Sequence, residues 1–250
     1  KEDEDKVRVW VVNSRGTPTR TASYHANTIY KTTTWDENNN STANVNRTEE
    51  FKDKQGKVVL KRSYNGSEIL STYYVYDDFE LLRFVIPPLA NGDGGNVTTV
   101  LNDLCYQYSY DARKRMVEKK LPGVGWTYMV YDKRDRLVAT QDPVMRTAIP
   151  ANGKWLVIKY DQLNRPVMTA YKALGDARTI LQTYFDTYPA SSSYYETRDG
   201  SAIGYTTGNS FNPKLSITES DLLTVTYYDT YGFPGAQAFD ITANNISGYY

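Results

Sequence analysis

The chain nearly lacks histidine and cysteine, and the reactive groups that recur along it in a pattern are carboxylates. Its 250 residues include one His, His25, and one Cys, Cys105. An imidazole base needs a nucleophile to activate and an acid to orient it, and Ser23-Tyr24-His25-Ala26-Asn27 is no such phrase. One thiol and one imidazole cannot build a zinc or iron–sulfur site, so no metal and no cofactor is expected. Cys105 reads as a small buried apolar residue. What recurs is aspartate: Asp53, Asp77, Asp111, Asp132, Asp161, Asp186 and Asp229, at intervals of 24, 34, 21, 29, 25 and 43 residues. As chemistry, such a set would be calcium ligands or the acid and base of a glycosidase, the latter needing two carboxylates about 5–10 Å apart. As architecture, each Asp is an independent turn former, and the wording around it favours that reading.

Three copies align without a gap: Tyr110-Asp111-Ala-Arg-Lys-Arg115-Met116-Val117, Tyr131-Asp132-Lys-Arg-Asp-Arg136-Leu137-Val138 and Tyr160-Asp161-Gln-Leu-Asn-Arg165-Pro166-Val167. Looser copies surround Asp53, Asp77, Asp186 and Asp229. An Asp at the first turn position accepts backbone N–H groups two residues on and closes a hairpin. Three residues after the Asp the backbone must often take positive φ, which suits Gly56, Asn164, Asp135 and Gly232. Lys114, Glu80 and Pro189 depart from this preference, and Pro189 cannot adopt that conformation at all.

The segments ahead of the acids have strand character: Leu104–Tyr110, Gly125–Tyr131, Lys154–Tyr160, Ile180–Phe185 and Leu223–Tyr228 are rich in Tyr, Val, Ile, Thr and Trp. Second strands follow, as in Arg115–Leu121, Arg136–Gln141 and Arg165–Lys172. Tyr is the compositional outlier, 23 of 250 residues, and suits a large sheet whose rings pack across strands with their hydroxyls in water. Few segments carry a helical period. Val97–Leu104 and a turn at Glu219–Leu223 are the candidates, while Asn38–Asn46 and Ala90–Asn96 are polar loops and Ser191–Pro213 is an insertion. The loop Asn91-Gly-Asp93-Gly-Gly-Asn96 has the glycines of a tight turn but neither an EF-hand's closing Glu nor a phosphate-binding Lys-Ser/Thr.

Composition removes several function classes. With 29 Lys+Arg against 29 Asp+Glu the formal charge is zero, so there is no basic field for nucleic acid or anionic lipid. No apolar run approaches the roughly 20 residues that span a bilayer. The opening Lys1-Glu2-Asp3-Glu4-Asp5-Lys6 lacks the apolar stretch of a signal peptide. The expected fold is therefore all-β: repeated antiparallel hairpins in one large, curved, partly closed sheet with at most one or two short helices. Residues 1–250 read as a single repeat region, less regular over 1–50, best defined over 51–190, and divergent with an insertion over 191–250. Seven hairpins make about fourteen strands, on the order of 65 Å of sheet, with an unpaired edge at each end open to self-association.

The aromatic-Asp phrase with its following Arg and apolar pair resembles the repeats of the RHS/YD-repeat family, best from about Phe51 to Ala170. The resemblance implies a bacterial repeat shell in which the chain is wall and not catalyst. It also implies partners: the remaining repeats and a C-terminal toxin or effector domain of a larger exported protein, extracellular or at the cell surface. Some members cleave themselves at an Asp-Pro-x-Gly-Leu phrase, which is absent here; Asp142-Pro143 is followed by Val144-Met145-Arg146. The alternative function is a glycan- or protein-binding surface module built on exposed aromatics, with Trp35, Trp126 and Trp155 as its candidates. An enzyme comes third, since it would need two of the acids to converge.

Overall fold

The computed structural model describes residues 6–37, 45–147, 153–189, 193–208, 215–230 and 232–237. Most of the expected loop at Asn38–Asn46 and parts of the insertion at Ser191–Pro213 lie outside these residues. The chain divides into two compact units, residues 1–128 and 129–250.

In the first unit, β1 (Arg8–Val12) and β2 (Pro18–Ser23) form a separate two-stranded sheet. The main sheet follows as β3 (Tyr30–Trp35), β4 (Val45–Lys52), β5 (Val58–Asn65), β6 (Glu68–Tyr76) and β7 (Leu82–Ile86). After a 3-10 turn at Pro88–Ala90 and helix α1 (Val97–Leu104), it resumes with β8 (Tyr106–Tyr110), β9 (Met116–Leu121) and β10 (Gly125–Tyr131), the last crossing the unit boundary. The second unit adds β11 (Leu137–Gln141), α2 (Pro143–Thr147), β12 (Lys154–Tyr160), β13 (Pro166–Ala173), α3 (Arg178–Thr187), a 3-10 turn at Glu219–Asp221 and β14 (Leu222–Val225). Among the described residues the strand order from β3 to β14 is the chain order, an antiparallel meander of twelve strands with β3 and β14 at its ends.

Period-two patterning builds these strands. In β12, Trp155, Val157 and Lys159 are buried while Leu156, Ile158 and Tyr160 are only partly so, which follows from successive side chains taking opposite faces. In the first unit the buried face of β4 to β7 carries Phe51, Leu60, Tyr73, Val75, Phe84 and Ile86. The β1–β2 hairpin packs on this core through Trp10 and Val12, and α1 through Val97 and Leu101. A smaller core in the second unit joins Val167, Met168 and Ala170 of β13 to Tyr205 and Ile217.

Two expected elements are different. Ile180–Phe185, expected as a strand, lies inside α3, where Leu181 and Phe185 are buried four residues apart, the spacing of one helix face. With α1 and α2 this makes three short α-helices among the described residues, against the one or two expected. The strand expected at Leu223–Tyr228 is shorter, ending at Val225.

Candidate functional site

The repeated acid builds one structure five times. At Asp53, Asp77, Asp111, Asp132 and Asp161 the backbone N–H bonds to the carbonyl four residues on, and the carbonyl accepts the N–H three residues on, at 2.9–3.1 Å. One carboxylate oxygen, Oδ1, accepts the N–H groups of the second and fourth following residues at 2.8–3.0 Å. The third following residue has positive φ in every copy: Gly56, Glu80, Lys114, Asp135 and Asn164. Lys114 and Glu80 therefore take the left-handed conformation despite their side chains, at φ 63° and 64°.

The other oxygen, Oδ2, takes a cation. The Nε of Arg115, Arg136 and Arg165 lies 2.7 Å from Oδ2 of Asp111, Asp132 and Asp161. In the Asp53 copy Lys57 Nζ stands 3.6 Å away. In the Asp77 copy the fourth position is Leu81, and Arg83 two residues later supplies the charge at 3.5 Å. Charge-assisted bonds of this type are about twice as strong as neutral ones. Burial alone would raise the Asp111 carboxyl, but the Arg115 N–H and guanidinium outweigh it and hold the group below the usual carboxylate range.

The tyrosine that precedes the acid joins one copy to the copy before it. Tyr76 Oη donates to the Val58 carbonyl (3.1 Å), Tyr110 to Leu82 (3.0 Å), Tyr160 to Leu137 (2.7 Å) and Tyr228 to Pro166 (3.2 Å). Each acceptor stands five residues after the acid of the preceding copy. The same rings meet that copy's cation: Lys57 lies 5.9 Å from the Tyr76 ring, Arg136 4.6 Å from Tyr160 and Arg165 4.3 Å from Tyr228. Six residues after the acid comes a buried valine in four copies, Val59, Val117, Val138 and Val167. The recurring phrase thus specifies a turn, a cation that locks it, and a ring that ties the next hairpin on.

Two of the seven acids do other work. Asp186, expected at a turn, is on α3 and accepts from Gln182 Nε2 at 3.0 Å. Gln182 in turn offers Oε1 to the Tyr131 N–H (2.9 Å) and Nε2 to the Tyr131 carbonyl (2.8 Å), so its amide serves β10 as a neighbouring strand would. Asp229 has φ 70° and receives Arg165 through both oxygens, at 2.9 and 2.6 Å. That guanidinium holds the Asp229 carboxyl below its ordinary range. A turn that sequence reasoning missed lies in the β1–β2 hairpin: Asn13 Oδ1 accepts the N–H groups of Arg15 and Thr17, both at 3.0 Å, with Gly16 at φ 74°. The signal was Asn13-Ser-Arg-Gly16, with an amide for the acid and Val12 for the tyrosine.

The tryptophans separate by burial. Trp155 is fully buried, so no ring of a ligand can stack on it, contrary to its candidacy. Trp126 is half-buried in β10, opposite Lys120. Trp35, on β3, is 58% exposed.

Three polar clusters, those of Glu49 and Glu196 built on a buried acid, were not legible as sites. Asp93 receives Tyr73 Oη (2.6 Å) and Arg62 (3.3 Å) on Oδ1, and its carbonyl accepts from Arg8 and Arg20, pinning the β1–β2 hairpin down. Glu49 is bound by Lys31 at 2.5 Å and Tyr64 Oη at 2.7 Å. Lys159 pairs with Glu196 at 3.0 Å while Thr206 donates to the other oxygen at 2.6 Å, and burial lowers the Lys159 pKa. Cys105 is buried, which pushes its thiol up to about 11. A groove of about 550 Å³ opens beside the Asn13, Asp77 and Asp111 turns, with Phe79 and Lys114 on its wall.

No family model and no curated protein matches this chain. It resembles short stretches of two solved structures. The crystal structure of TcdB2-TccC3-Cdc42 shares 16% identity over 52% of this chain and 6% of that one, with a TM-score of 0.38. That of TcdB2-TccC3-TEV shares 15% over 70% of this chain and 9% of that one, with a TM-score of 0.44. The chain therefore spans less than a tenth of either. Likeness at this level adds nothing to the geometry of the turns themselves.

Proposed function

We propose that this chain is a non-catalytic structural module, a section of YD-repeat wall in the shell or stalk of a larger exported bacterial protein. Its role there is to enclose a C-terminal toxin or effector domain at or outside the cell surface. The observation that carries this reading is the fate of the repeated acids. In the Asp111, Asp132 and Asp161 copies both carboxylate oxygens are bonded within five residues, to two backbone N–H groups and an arginine. A general acid at neutral pH needs a raised pKa, whereas at Asp111 the Arg115 N–H and guanidinium hold the carboxyl below its usual range. Together with the tyrosine bonds between copies, this is the chemistry of joining hairpins into a sheet. The test is to read the coding sequence on both sides of these 250 codons. Further aromatic-Asp phrases followed by an unrelated domain support enclosure; flanks without any such phrase overturn it.

The exposure of Trp35 favours a second reading, a glycan-binding surface. Titrating the chain with oligosaccharides while following tryptophan fluorescence tests it, with loss of the response in Trp35→Ala as the expected result.

A further inference from the structure

The three polar clusters hold acids against cations, and one of them differs in kind from the others. Asp93 meets the guanidinium of Arg62, a group that stays protonated in proteins and is no nucleophile. Glu49 meets Lys31, but that lysine side chain is 44% exposed and its ammonium is hydrated. Lys159 and Glu196 instead bring a primary amine within 3.0 Å of a carboxyl oxygen, with side chains only 3% and 0% exposed. Both belong to the second unit, Lys159 on β12 and Glu196 on the segment that follows α3. The backbone holds the approach: the Glu196 N–H donates to the carbonyl of Tyr160, the residue next to Lys159, at 2.8 Å. Thr206 serves the other carboxyl oxygen. Its hydroxyl accepts the Thr197 N–H at 3.0 Å and donates to Glu196 Oε2 at 2.6 Å.

We propose that Lys159 and Glu196 condense into an amide, an isopeptide cross-link that the folded chain forms by itself. The ion pair already holds every atom the step needs. Two protons of the ammonium pass to Oε1, the nitrogen lone pair bonds to Cδ, and Oε1 leaves as water with the electron pair of its bond to Cδ. Lys–NH3+ and –OOC–Glu thus become Lys–NH–CO–Glu, with no oxidant, reductant or other co-reactant. In the tetrahedral intermediate the negative charge gathers on Oε2, where the Thr206 hydroxyl is the donor, the task of an oxyanion hole. Oε2 then remains as the amide oxygen. Three physical reasons favour the step. Burial disfavours the ammonium and lowers the Lys159 pKa, and the uncharged amine is the nucleophilic form. Two charges out of water are costly to keep even as a pair, and the amide removes both. Groups held in contact by the fold react as one molecule, without the entropy loss of an encounter. The link closes the chain on itself 37 residues apart, around β13 and α3. It lies within the second unit and does not depend on the wall reading.

The experiment is the intact mass of the purified 250-residue chain, held folded at neutral pH until the mass is constant and then measured denatured. The expected result is a chain lighter by one water, about 18 Da, than its sequence mass of 28.5 kDa. Trypsin should then release residues 155–172 and 179–198 as one joined peptide, uncut after Lys159. Lys159→Arg keeps the positive charge without the amine and should show its full sequence mass. An aspartate followed by glycine can lose the same water as a succinimide, as at Asp93-Gly94 and Asp199-Gly200, so the peptide map decides where the loss lies. A wild-type chain of full mass overturns the inference. So does a water loss that maps to Asp93 or Asp199, or one that persists in Lys159→Arg.

Discussion

The guanidinium of Arg136 belongs to two hairpins at once: its Nε is 2.7 Å from Asp132 Oδ2, and its carbon lies 4.6 Å from the centre of the Tyr160 ring. One side chain thus locks the turn it follows and receives the hairpin that comes next. The four tyrosine-to-carbonyl bonds repeat this coupling, two in each unit. Tyr160→Phe keeps the ring over Arg136 and loses only the bond to Leu137, so it should cost about 1 kcal/mol in urea unfolding. Tyr160→Leu loses the cation–π contact as well and should cost about 1 kcal/mol more. Equal losses in the two variants would show that the ring face contributes nothing.

The turn acid can be dissected with an amide, because Asn13 already closes the same turn with its Oδ1. At Asp132, Asn keeps the acceptor for Arg134 and Arg136 N–H and gives up the ion pair, whereas Ala gives up both. Asp132→Ala should therefore destabilise by at least about 1 kcal/mol more than Asp132→Asn. Denaturation midpoints measured side by side decide this, and a reversed order would remove the backbone bonds from the account.

Lys114 stands at φ 63°, where a residue with a Cβ is strained and glycine is not. Lys114→Gly should raise stability by about 1 kcal/mol, although most substitutions lower it. The readout is the melting temperature; a fall would mean that the contact of Lys114 with the Phe79 ring, 5.6 Å away, outweighs the strain.

Acid should weaken the first unit through particular groups. Burial alone would raise Glu49 and Asp93. Lys31 and Tyr64 outweigh it at Glu49, and Ser71, Tyr73 and Arg62 at Asp93, so both carboxyls sit below their ordinary values. A carboxyl whose folded pKa is depressed contributes stability above its unfolded pKa, about 4, and loses it as pH falls through the folded value. The urea midpoint should be flat from pH 7 to about 5 and fall steeply below about 4. In Glu49→Gln the fall should be shallower from a lower starting point. An unchanged acid limb in that variant would exclude Glu49 as a contributor.

Much of this arrangement is legible in the sequence, for a physical reason. The turn is closed by atoms within five residues, so Tyr110-Asp111 through Val117 carries its own instructions, and α1 shows itself by Val97 and Leu101 four residues apart. The bonds between copies are harder to foresee, since Tyr160 and Leu137 meet only once the sheet exists. At α3, Thr-Ile-Leu-Gln-Thr-Tyr-Phe fits a strand and a helix equally well, and short apolar runs do not separate the two. Its role depends on Gln182 reaching Tyr131, 51 residues away. α2 did carry a signal: Asp142 precedes Pro143 at the first helical position, and its carboxylate accepts the Met145 N–H at 2.7 Å, a standard helix start.

The locality of the turns also bears on how the chain reaches its fold. Bringing the ends of a five-residue segment together costs little loop entropy, and in a meander each strand then finds its partner next to it in sequence. Large sheets usually fold slowly because their pairings are distant along the chain. Here Asp53, Asp77, Asp111, Asp132 and Asp161 each provide a nucleus from which pairing can spread to the neighbouring hairpin, while Asn13 closes the separate β1–β2 pair. Growth can start at several points at once, and a hairpin damaged by mutation need not stop the others from forming.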